Sequence, residues 1–137
     1  MKVYKTKLRA FAGTNYKEVS RKATNVYDNL KKKTKRRPYV RSAYFNKEKI
    51  FLGVFWSHLR SRNYWDQMRR MKYFACGIEA IMKTRHDPTT KENPNQSDEL
   101  LHRFAGITPD GEQFYLQIKE NKRNGQKMLI SIFPLDK

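Results

Sequence analysis

The sequence predicts an α+β domain in which helices pack on a C-terminal antiparallel β-sheet meander of three to five strands. Three observations carry that expectation. Apolar residues recur at helical spacing in two long stretches. The last third of the chain alternates apolar and polar residues in three segments joined by turn sequences. The 137 residues, 13% of them aromatic, suffice for one small core, so 1–137 reads as a single domain.

Each element follows from local chemistry. "KVYKTKLRAF" alternates apolar and basic residues, the pattern of a short basic edge strand. Asn15, with Glu18 three residues on, is a helix N-cap. Tyr16, Val19, Ala23, Val26, Tyr27 and Leu30 then give the apolar stripe of a helix over 16–33. "KKKTKRRP" follows, and Pro38 stops the helix. "YVRSAYF" (39–45) alternates like a strand, and "NKEK" turns the chain. Residues 50–62 read as a helix with His58 packed against it, although their β-branched and aromatic content also suits a strand. Asn63 and Asp66 open a further helix over 63–83, with Met68, Met71, Phe74, Ala75, Ile78, Ile81 and Met82 on its inner side. Residues 84–99 are polar, contain two prolines and read as a long loop. Three strands over 99–133 complete the chain.

Register decides what those strands present, because a slip of one residue moves every side chain to the other face. For "TPDG" a four-residue loop pairs Ile107 with Glu112 and His102 with Gln117. For "KRNGQ" a three-residue loop with Gly125 as a bulge pairs Ile118 with Ile130 and Leu116 with Ile132. In this register Leu116, Ile118, Ile130 and Ile132 share an apolar face. His102, Gln117 and Ser131 form one row on the other, with Lys119 and Tyr115 in neighbouring rows. A general acid/base, a cation, two hydroxyls and an amide are thereby gathered on a sheet face. Such a set can cleave RNA without a metal: the 2′-hydroxyl attacks, His102 moves the proton, Lys119 meets the phosphorane charge, and Ser131 and Gln117 place the phosphate.

The charge is polarised along the chain. The net charge is +17. Residues 1–75 contain 21 Lys and Arg against 4 Asp and Glu, and residues 76–137 contain nine of each. The strongly basic half therefore holds the whole excess, which attracts a polyanion through counterion release. Lys31, Lys32, Lys33, Lys35, Arg36, Arg37 and Arg41 form the main candidate phosphate cluster. Arg69, Arg70 and Lys72, interleaved with aromatics, and Arg103 on the sheet extend it. The partner expected is nucleic acid, RNA rather than DNA, since this chemistry uses the 2′-hydroxyl. His58, His86 and His102 lack metal-ligand spacing and Cys76 has no cysteine neighbour, so neither metal nor cofactor is expected. A single cysteine and the lack of a long apolar run suggest a cytoplasmic protein without a membrane partner.

The stretches "RRMKYFACGIEAIMKT", "ELLHRFAGITPDGEQFYLQIKE" and "KMLISIFP", within residues 69–134, resemble the metal-independent RNase superfamily. It includes barnase, colicin-type tRNases and RelE-like toxins, and the phage-associated branch is the nearest. The resemblance implies an endoribonuclease of toxin or mobile-element type, with His102, Lys119 and Ser131 as active residues and an acidic protein inhibitor as a possible partner. The alternative is a non-catalytic nucleic-acid-binding or ribosome-associated accessory protein.

Overall fold

The computed structural model describes residues 2–135. The chain order is β1 (Val3–Lys5), α1 (Tyr16–Lys32), β2 (Tyr39–Ser42), β3 (Glu48–Phe51), α2 (Gly53–Arg60), α3 (Tyr64–Met71), α4 (Phe74–Lys83), β4 (Thr89–Asn93), β5 (Gln96–Ile107), β6 (Gln113–Asn121) and β7 (Lys127–Pro134). The fold is α+β, and its sheet is larger than a meander. Seven strands join in the order β1-β5-β6-β7-β3-β2, with β4 also on β5. The β5-β6-β7 meander is antiparallel, as expected, but β1 and β3 add to it in parallel.

Helix starts follow the sequence signals. The Asn15 side chain accepts from the Glu18 amide at 2.8 Å, and Asn63 accepts from the Asp66 amide at 2.8 Å. The helix expected over 63–83 is in fact two. The Lys72 carbonyl accepts from the Phe11 amide at 2.9 Å, and the chain bends there before α4 begins. The bend buries Met71 and Phe74 together and leaves Met82 at 45% exposure, outside the stripe assigned to it. The ambiguous 50–62 segment is also divided: its first two residues end β3, and the rest forms α2 with His58 exposed rather than packed. The polar stretch at 84–99 is no long loop. Thr89–Asn93 pairs with β5 as a hairpin whose turn holds Pro94 and Asn95.

The core lies between the helices and one face of the sheet. Phe104, Phe114, Leu116, Ile118, Leu129, Ile132 and Ile50 line that face, and Val19, Ala23, Phe55, Leu59, Met71, Phe74, Ile78 and Ile81 cover it from the helices. Two glycines allow the closest approaches. A Cβ on Gly77 of α4 would lie 2.4 Å from Ile132 Cδ1. A Cβ on Gly106 would lie 2.3 Å from Phe114 Cζ, because the fully buried Phe114 ring rests over the glycine directly opposite it.

Both hairpin loops differ from the sequence expectation, in opposite directions. At the first, the Thr108 amide donates to the Glu112 carbonyl at 2.9 Å, and Gly111 sits at φ 83. This is a three-residue loop with a glycine bulge, where four residues were expected. At the second, Asn121 faces Gln126 across a four-residue loop, where three were expected. A bulge between Gln117 and Ile118 then restores the expected pairing beyond it.

Gly106→Ala should lower stability by about 1–3 kcal/mol, because the Phe114 ring must move within a filled core. Gly53→Ala, where a Cβ meets open space, should change stability by less than about 1 kcal/mol. Urea denaturation of the two variants measures both.

Candidate nucleic-acid interface

Strand register separates the predicted catalytic set. Across β5 and β6, His102 faces Ile118, and Arg103 faces Gln117. Across β6 and β7, Gln117 faces Ser131 and Tyr115 faces Phe133, as the sequence suggests, while Ile118 faces Leu129 and Lys119 faces Met128. His102 thus lies on the core face, opposite in direction to Tyr115, Gln117, Lys119 and Ser131. The expected row of His102, Gln117 and Ser131 is replaced by Thr89, Arg103, Gln117 and Ser131. Ile130, expected in the core row, falls in the bulge and is half-buried beside α2.

His102 is only 6% exposed, and both ring nitrogens are engaged. Nδ1 lies 2.8 Å from the Thr90 hydroxyl, and Nε2 lies 2.8 Å from Glu120 Oε1. The Phe45 ring packs at 5.0 Å. The network continues to the buried Lys127, whose ammonium donates to Glu48 Oε1 at 2.9 Å and lies 3.9 Å from Glu120 Oε2. In this arrangement His102 has no free nitrogen and no solvent-open side from which to reach a 2′-hydroxyl. It closes a polar chain at the rim of the core.

The outer face of the sheet is where charge and aromatic surface meet. Its pairings run continuously across six strands: Lys91, Leu101, Lys119, Met128, Phe51 and Tyr39 face one another in turn. Arg41 and Lys49 form the next pair beside Tyr39 and Phe51. These side chains are half-buried or exposed, as expected for a sheet face that packs no core. Toward the β4 edge, Thr89, Lys91, Leu101, Arg103, Tyr115 and Gln117 line a small cleft of about 130 Å³. Lys119 is partnered by Glu99 at 3.5 Å.

At the β2 edge, the basic segment folds back over this same face. Lys33, Thr34, Lys35, Arg36, Arg37, Tyr39, Lys49 and Phe51 line a cleft of about 500 Å³. Arg37 stacks over the Phe51 ring at 4.2 Å, and Lys49 and Arg41 sit over Tyr39 at 4.8 and 5.4 Å. The six cations Lys31, Lys32, Lys33, Lys35, Arg36 and Arg37 are all exposed. The structure therefore brings Lys33, Lys35, Arg36 and Arg37 to the sheet face that carries Tyr115, Gln117 and Lys119, while Lys31 and Lys32 lie on α1 beside Asn25, Asp28 and Asn29. The parity of Arg41, Lys49 and Phe51 carries that signal, but only once β3 is known to pair with β7.

Arg69 and Arg70 are held differently. Both bond to Asp66, together with Arg62. Burial works to raise the Asp66 carboxyl, but the Arg62 hydrogen bond and the Arg70 and Arg62 charges hold it below the usual carboxylate range. Lys72 is half-buried at the bend between α3 and α4. Among the described residues no group of three or more His, Cys, Asp and Glu side chains is arranged to hold a metal ion, and no helix is long and apolar enough to cross a membrane. Comparison with protein-family models, curated proteins and solved structures finds no match.

His102→Ala should cost about 1–3 kcal/mol, since it strands Thr90 and Glu120 at a buried site. Gln117→Ala, on the open face, should stay within about 0.5 kcal/mol of the parent. Equal stability of His102→Ala and the parent in urea would contradict the buried network.

Proposed function

We propose that this protein binds RNA, single strands in preference to duplexes, through the outer sheet face and the basic segment beside it. The observation that carries this reading is the β2-edge cleft, where five cations surround the half-buried rings of Tyr39 and Phe51. Cations beside aromatic rings suit a strand whose phosphates and unstacked bases are both available. Gln117, Ser131 and Thr89, in one row with Arg103, supply donors and acceptors suited to a ribose 2′-hydroxyl. The segregation of the +17 net charge into residues 1–75 supports the same reading.

Replacing Lys31, Lys32, Lys33, Lys35, Arg36 and Arg37 with Gln should weaken binding strongly. Its salt dependence should flatten by about 0.7 in log–log slope for each phosphate of a single strand that is no longer neutralised. Fluorescence anisotropy at several salt concentrations measures both. An unchanged slope would make the segment a solvated connection and defeat the proposal.

A second reading, metal-independent RNA cleavage of toxin or mobile-element type, is favoured by one observation: Arg103, Tyr115, Gln117, Lys119 and Ser131 share a face. The 2′-hydroxyl would lose its proton to solvent water as its oxygen bonds to phosphorus, Arg103 and Lys119 would meet the phosphorane charge, and the Tyr115 hydroxyl would protonate the 5′-oxygen as the P–O5′ bond breaks, leaving a 2′,3′-cyclic phosphate. If RNA is cut in EDTA, Tyr115→Phe should slow cutting on the order of 10²- to 10⁴-fold. His102→Gln should leave it within a few-fold once folded. Intact RNA after incubation with the parent protein leaves binding as the activity.

A further inference from the structure

Tyr64 and Trp65 open α3 at 72% and 66% exposure, the highest among the exposed large apolar side chains of the described residues. Helical spacing turns Trp65 away from the inward Gln67 and Met71, whereas Tyr64 lies on their stripe at its first-turn end and stays mostly exposed there. Nothing in the packing of the domain requires two large rings there. Tyr64 lies on Tyr16 at 4.8 Å with its other face open.

Trp65 also begins a chain of contacts that leads back to the sheet. The Arg69 guanidinium sits over the Trp65 ring at 5.3 Å. Its neighbour Arg70, anchored with it on Asp66, sits over the Phe133 ring at 5.6 Å. Arg103 sits over Phe133 at 5.5 Å and over Tyr115 at 5.2 Å. Aromatic and guanidinium groups thus follow one another from Trp65 through Arg69, Arg70, Phe133 and Arg103 to Tyr115 on the outer sheet face, with Asp66 joining the two adjacent arginines. The rise from Trp65 to Arg70 along α3 is roughly 7–8 Å.

We infer that this ladder extends the RNA-binding surface off the sheet and that Trp65, backed by Tyr64, stacks an unpaired base. The inference rests on the RNA-binding reading above and adds a position and a selectivity to it. The occupant is a single-stranded nucleic acid because the exposed Trp65 ring comes with a cation, Arg69, and a positive surface beside it. Three guanidinium groups, Arg62, Arg69 and Arg70, surround the single carboxylate of Asp66, which leaves the surface positive. A base offers the π-face for the ring, and its phosphate complements the excess charge. A duplex keeps its bases stacked internally and has no such face to give.

The test compares the parent with Trp65→Ala, Trp65→Phe and the six-residue basic-segment variant. The probes are a fluorescein-labelled single-stranded poly(U) oligonucleotide and an RNA hairpin duplex closed by a non-nucleotide linker, so that it has no unpaired loop bases. Trp65→Ala should weaken single-strand binding roughly 5- to 150-fold, the range for removal of one base–aromatic stack, with the salt slope unchanged. Trp65→Phe should keep most of the affinity, and hairpin binding should not change in either variant. Trp65 emission should be quenched by the single strand. Trp56, packed among Tyr27, Phe55 and Phe74, serves as the internal reference. Parental affinity in Trp65→Ala, or an equal loss for hairpin and single strand, overturns the inference. If the basic-segment variant still loses binding, the RNA-binding reading survives that result. A parent that binds neither probe removes both. Self-association in sedimentation that Trp65→Ala abolishes, with RNA affinity intact, would assign the pair to a protein contact and also overturn it.

Discussion

The contact of the Phe114 ring with Gly106 is the constraint on which the rest of the sheet depends. Directly opposed residues share a face, so placing Phe114 against Gly106 fixes the direction of every side chain on β5 relative to β6. It sends Phe104 and His102 into the core with Leu116 and Ile118, and sends Arg103 and Leu101 outward with Gln117 and Lys119. The Thr108–Glu112 loop is compatible with this alignment because Gly111 adopts a left-handed conformation that closes the turn in three residues. The core thereby gains a filled space above Gly106 and takes in a histidine that needs two polar partners, which Thr90 and Glu120 provide.

The same alignment organises the charge. One face of the sheet is committed to helices and apolar packing, and Arg37, Arg41 and Lys49 of the positive half lie on the other. The strands β2 and β3 carry this over, since β3 lies in parallel beside β7 and brings Lys49 and Phe51 onto the face that holds Lys119 and Arg103. Where β3 ends, α2 and α3 flank β7 and carry the aromatic–guanidinium contacts beyond the sheet. On the proposed reading, such a surface would select its partner by two properties together, anionic phosphates and open base faces.

Much of the fold is legible from local chemistry. Asn15 and Asn63 cap their helices as their spacing with Glu18 and Asp66 suggests, and the Leu116–Ile132 and Gln117–Ser131 pairings follow from alternation. What is not legible depends on contacts distant in sequence. The bend after Met71 is stabilised by a bond from Phe11, and β4 hides in a polar, mostly exposed segment whose ladder partner is β5. The place of His102 escapes a local reading because "TPDG" closes in either three or four residues, and the apolar pattern of β5 fits both faces: Leu101 and Ala105 compete with Phe104. The ring of Phe114 over Gly106 decides between them, and a lone glycine in a strand is a weak local signal for so large a consequence. The cations of the candidate site are readable one by one, but their union on one surface requires the β3–β7 pairing.

The proposed function requires that RNA meet the Arg103 face of this sheet and not the His102 face. Side-chain NMR during titration with a single-stranded oligoribonucleotide tests it directly. The resonances to follow are the Arg103 Nε–H, the Gln117 amide, the Trp65 indole N–H and the His102 ring protons. The first three should shift at a common affinity while the His102 ring stays unchanged. Perturbation led by the His102 ring, with Arg103 and Gln117 unmoved, would contradict the claim.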